Sequence, residues 1–148
     1  MSSRILSLLC LLSFFSASAA RGEEYKLATS DSGPEGLAAA IAAEVSPQGM
    51  SLIGPQRPFA SVWLVKQATV PADFQATAAV RYPFVSGQLI GVLSVPKRSD
   101  FVEFRGNKLE AGTYTLRYGR QPTDGNHVGT SDLADFLVAI PADQDEDP

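Results

Sequence analysis

The chain has 148 residues, 45% hydrophobic and 19% charged, and its sixteen acidic and twelve basic residues leave a net charge of −4. That length suits one domain with a real core. One Cys and one His provide no disulfide framework and no thiolate zinc cluster, and Lys97 with Arg98 is only a pair, which does not recommend nucleic acid as a partner.

Residues 1–20 read as a secretory signal peptide. Arg4 supplies a positive start, Ile5 to Phe15 an apolar run, and Ala17, Ala19 and Ala20 the small residues at which signals are cleaved. The run is about eleven residues, short of the roughly eighteen that a spanning helix needs. Cys10 follows Leu9 within it, not the small residue that precedes a lipidated cysteine, and it would leave with the signal. The expectation is an exported chain, periplasmic or secreted, with no transmembrane segment once the signal is removed. Loss of Arg4 takes the net charge to −5, and Asp143, Asp145, Glu146 and Asp147 hold most of the imbalance. Residues 21–141 then form a single domain and 142–148 a disordered acidic tail.

A short extended piece at Tyr25 to Ala28 opens the domain. Ser32 and Glu35 have capping-box spacing, and Leu37, Ile41 and Val45 follow as a narrow apolar stripe that ends at Ser46 and Pro47, which predicts one short helix. Beyond it, β-branched and aromatic residues gather between Gly and Pro breaks. The expected strands are Met50 to Ile53, Phe59 to Lys66, Gln88 to Val95, Phe101 to Arg105, Thr113 to Tyr118 and Phe136 to Ile140. The Phe59 and Gln88 segments are apolar on both faces, as central strands are. Trp63 in the first of them reads as core filling rather than ligand stacking. Pro71 to Pro83 has no period and reads as an irregular connection, with Phe74, Tyr82 and Phe84 pinning it to the body. Gly106 and Asn107 mark a hairpin turn.

Leu109, Gly112 and Tyr114 have tyrosine-corner spacing, in which the phenol bonds to backbone just upstream as the chain passes from one sheet to another. In the strand that follows, Tyr114, Leu116 and Tyr118 point one way and Thr113, Thr115 and Arg117 the other. The fold these signs predict is mainly β: an antiparallel, Greek-key-like β-sandwich with one short N-terminal helix.

The polar side chains that converge are Arg117, Asp124, His127, Asp132 and Asp135. Asp124, Asn126, Gly129, Asp132 and Asp135 fall at EF-hand positions one, three, six, nine and twelve. Val128 at the fifth position, Asp135 in place of the bidentate Glu and Pro122 in place of an entering helix all count against a calcium site. The competing reading is a turn whose Asp and Asn side chains bond their own backbone. A hydrolase built on His127 with Ser131 and Asp132 or Asp135 has no nucleophile-elbow glycines around any serine. Arg117 reads first as a clamp on a carboxylate, Asp135 or Asp124, and second as a contact for an anionic or sugar ligand.

The run Gly112, Tyr114, Leu116, Arg117, Tyr118, Gln121, Pro122, Asp124, Gly125, His127 and Gly129, followed by Asp135 and Phe136, resembles a group of exported, planctomycete-like bacterial proteins with a small β domain. The resemblance implies the same exported β domain and carries over no reaction, ligand or functional residue. The function expected is a non-catalytic extracytoplasmic module, without cofactor, that binds a protein or small-molecule partner or supports an envelope assembly. The alternative is small-ligand or divalent-cation binding through the 117–135 cluster, and a His127-dependent hydrolase stands last.

Overall fold

A computed structural model describes residues 25–103, 105–122 and 134–148. Six antiparallel strands lie side by side in chain order: β1 (Lys26–Ser30), β2 (Gly49–Ile53), β3 (Pro58–Leu64), β4 (Leu89–Val95), β5 (Gly112–Arg120) and β6 (Asp135–Pro141). The mainly β class is as expected. The layering is not: among the described residues there is one open sheet with meander connectivity, where a Greek-key sandwich was expected. The segment at Phe101 makes only an isolated bridge between Val102 and Lys108, although the chain does reverse there, with Gly106 in the left-handed region at φ 87°.

A single sheet buries both faces of its centre by different means. The first face is covered by the helix α1 (Ala39–Glu44), whose Ile41 packs with Val45 against Trp63, Leu89 and Val92. The second gathers Ala60, Leu93 and Val95 beneath Phe59, Phe101 and Leu109. Strands β3 and β4 are therefore apolar on both sides because they are central in a sheet covered on both sides. A bulge between Leu89 and Gly91 changes the parity of β4, turning Leu89 to the helix side. At Gly91 the strands approach so closely that a Cβ would lie 2.2 Å from the Trp63 carbonyl oxygen. Trp63 is buried, as its position in the apolar run predicted.

The helix starts later than the Ser32/Glu35 signal indicates. Ala38 is its N-cap, without a side-chain bond. Ser32 instead presents its carbonyl to the Trp63 indole N–H at 3.0 Å, so the chain between Ser32 and Ala38 crosses the tryptophan before the helix begins. The Tyr114 hydroxyl does donate to the Glu110 carbonyl at 2.9 Å. Here that bond ties the start of β5 to its own lead-in; it does not carry the chain between two sheets.

Candidate functional site

The two described residues of the predicted cluster lie on opposite faces. In the register of β5 against β6, Arg117 stands opposite Val138 and Arg120 opposite Asp135. Side chains alternate along a strand, so Arg117 points to the helix side and Asp135 to the other. Asp124, His127 and Asp132 lie outside the described residues, as does Ser131. The main-chain stem of that connection is described: the Gln121 N–H donates to the Ala134 carbonyl at 2.8 Å.

Arg117 is a clamp, but on a carboxylate different from those expected. Its Nε and Nη2 donate to Oδ2 and Oδ1 of Asp145, each at 2.8 Å, a planar two-point match. Nη1 donates to the Gly87 carbonyl at 2.8 Å, and Nη2 also reaches the Asp147 carbonyl. The fully buried Thr115 hydroxyl donates to Asp145 as well. The tail expected to be disordered is thus docked: Ala142–Gln144 forms a 3-10 turn, and Asp145 is buried against β5. Bonding to Arg117 holds the Asp145 carboxyl below its ordinary value against the opposing effect of burial, and the same bond raises the Arg117 guanidinium. Arg117 also borders an open hollow of about 690 Å³ beside Val65, Val70 and Leu89, but four of its five donor positions are committed to its own chain.

On the other face, Asp135 enters a different constellation. Its Oδ1 accepts the Tyr118 hydroxyl and its Oδ2 accepts the Arg81 main-chain N–H at 2.7 Å. Tyr118 is almost wholly buried; burial first, and the bond to Asp135 second, push its hydroxyl above the ordinary phenol range, while a bond from Arg120 works the other way. Phe84 meets the Tyr118 ring edge-on, with centroids 5.7 Å apart at 69°. Tyr82 is nearly parallel to Phe84, at 6.2 Å and 4°. These rings sit there because the 71–85 connection folds back onto the sheet. The Ala79 carbonyl accepts the Ala134 N–H at 2.9 Å, just before β6, and Arg81 bonds Asp135. Of the expected pins Phe74, Tyr82 and Phe84, it is Phe84 whose ring meets the sheet at Tyr118, while Tyr82, half exposed, stacks on Phe84 within the connection.

Between the rings and the sheet lies a cavity of about 260 Å³, lined by Tyr82, Phe84, Ile90, Tyr118, Asp135 and Leu137, with Phe136 at its edge. Its walls are mostly apolar, and its polar side-chain groups are the Asp135 carboxylate and the phenols of Tyr118 and Tyr82. Among the described residues, each Asp135 oxygen accepts one bond, which leaves each a second lone pair. The site is suited to recognition by shape and hydrogen bonding. Sequence reasoning named Asp135 and took Tyr82 and Phe84 as pins, but had no means to place Tyr118 and Asp135 in one pocket without the β5–β6 register.

Among the described residues, no group of three or more His, Cys, Asp or Glu side chains is placed to hold a metal ion, and no helix is long and apolar enough to cross a membrane. No protein-family model, no curated protein and no solved structure matches the chain.

Proposed function

We propose that the protein is a non-catalytic extracytoplasmic module that binds a small neutral ring, of the size and chemistry of a single pyranose sugar, in the Tyr118–Asp135 pocket. The observation that carries this reading is the pairing of an aromatic wall with a carboxylate that retains acceptor capacity at its edge. A sugar ring has an apolar face for the Tyr82, Phe84 and Tyr118 rings and hydroxyl donors for Asp135. The volume of about 260 Å³ admits one such ring. The reading keeps Asp135 from the predicted cluster and releases Arg117, whose guanidinium serves the fold on the opposite face. The secretory signal expected in residues 1–20, and the resemblance of the 112–136 segment to exported planctomycete-like β domains, support a location outside the cell membrane.

Titration of the isotope-labelled protein with glucose and with N-acetylglucosamine, followed by NMR, tests the proposal. Saturable shifts at Ile90, Tyr118 and Leu137 that are absent in Tyr82→Ala are expected. Sugars that leave these resonances unmoved, or shifts produced equally by phenol and indole, would overturn it.

A further inference from the structure

The open sheet has two edges, and they are not alike. At β1 the edge carries Lys26 and is five residues long. At β6 it is seven residues long, and from Phe136 to Pro141 it contains no charge. Phe136, Leu137 and Val138 are 46%, 50% and 41% exposed, three large apolar residues in a row on both faces of an outer strand. Natural sheets protect outer strands with charge, proline, shortness or a covering segment, because a free row of N–H and C=O groups pairs with any strand that meets it; on β6 such devices stand only at the two ends, Asp135 and Pro141, and leave Phe136 to Ile140 without one. Among the described residues, the connection through Ala79 and Arg81 bonds to the start of β6 and no further along it.

The register defines which main-chain groups face outward. The Tyr118 N–H bonds the Gln88 carbonyl and its own carbonyl accepts the Gly87 N–H, so the main chain of Tyr118 points to the β4 side. Tyr118 is paired with Leu137, which is therefore a non-hydrogen-bonded partner, and the N–H and C=O of Leu137 and Ala139 point away from β5. Pro141 has the same parity, so its missing N–H removes nothing from the β5–β6 ladder.

We infer that the β6 edge joins a second copy of this chain, β6 against β6, in antiparallel register about a two-fold axis at Val138. That register sets Leu137 opposite Ala139 of the other copy and uses the outward groups of both. Phe136 falls opposite Ile140, and Val138 opposite itself in a close non-hydrogen-bonded pair. Asp135 meets Pro141, so no carboxylate faces another. The strand is self-complementary, as a two-fold interface requires. The β6 edge shares Asp135 and Leu137 with the sugar pocket, but Val138 lies on the face opposite Tyr118 and does not line it, so substitutions at Val138 test the association apart from the sugar reading.

Sedimentation equilibrium of the purified full chain, with charge exchange at the axis, tests it. Wild type gives a concentration-dependent dimer. Val138→Lys and Val138→Glu each place like charges opposite each other and sediment as monomers, and an equimolar mixture of the two recovers the dimer. Hydrogen exchange reads the same interface without any substitution: the Leu137 and Ala139 amides gain protection as the wild-type protein is concentrated. A wild type that stays monomeric, a dimer that survives both single variants, open-ended polymers, or edge amides that exchange equally at all concentrations would each overturn the inference.

Discussion

Replacing Asp145 by Ala removes the carboxylate on which β5 and the carboxyl-terminal segment converge. Two charge-assisted bonds from Arg117 at 2.8 Å are lost, together with the acceptor of the buried Thr115 hydroxyl. The Arg117 and Asp145 side chains are only 14% and 9% exposed, so water replaces little of this. Removing one partner of a buried pair costs about 3–5 kcal/mol, and because Arg117 keeps the Gly87 carbonyl the low end applies, about 3 kcal/mol. For a domain of this size that is a fall of roughly 10 °C in Tm. Asp145→Asn, which retains one acceptor, loses less. Thermal melts across pH separate this from a loss of general packing. The Asp145 carboxyl lies below its ordinary value of 3.8 in the folded protein, so its contribution is complete above about pH 4–5 and fades as pH falls through the folded value. The gap between wild type and Asp145→Ala therefore closes in acid. An unchanged melting temperature at neutral pH, or a gap that persists undiminished in acid, would refute the argument.

Two further substitutions probe the sheet. Gly91→Ala forces a methyl to within 2.2 Å of the Trp63 carbonyl, a contact that main chain cannot relieve by rotating; a loss of more than about 3 kcal/mol is expected in urea unfolding, against about 1 kcal/mol of gain from the backbone-entropy effect alone. Tyr114→Phe removes the bond to Glu110 but leaves the ring in place; the same assay should read about 1 kcal/mol, and a neutral result would make that bond incidental.

The strands were legible because their signals are local. The two-sided apolar character of the Phe59 and Gln88 segments placed them at the centre of a sheet, and β3 and β4 are the third and fourth of six. The number of layers was not legible. Two-sided burial asks only that each face be covered, and a second sheet, a helix with a docked tail, and folded-back connections all satisfy the same alternation. The Arg117 partner was not legible because Asp145 lies farther along the chain than Asp124 and Asp135, beyond the next strand. Thr115 and Arg117 on one polar face, with acidic residues following the next strand, were the available signal. The Ser32/Glu35 spacing failed for a physical reason: the Ser32 carbonyl is taken by the Trp63 indole, which holds that segment outside the helix. Asp135 was named from its place in the sequence, but its neighbours Tyr118 and Arg81 depend on long-range register.

Because strand order follows chain order, the seam between β3 and β4 divides the sheet and the polypeptide at the same place, and residues 65–88 bridge it. A nick in that bridge would leave two contiguous three-stranded pieces, each retaining the ladders inside it. Their shared boundary is the apolar contact of Trp63 with Val92 and of Val62 with Leu93. The meander thus gives the domain a natural line of division, along which its halves carry complementary surfaces for rejoining.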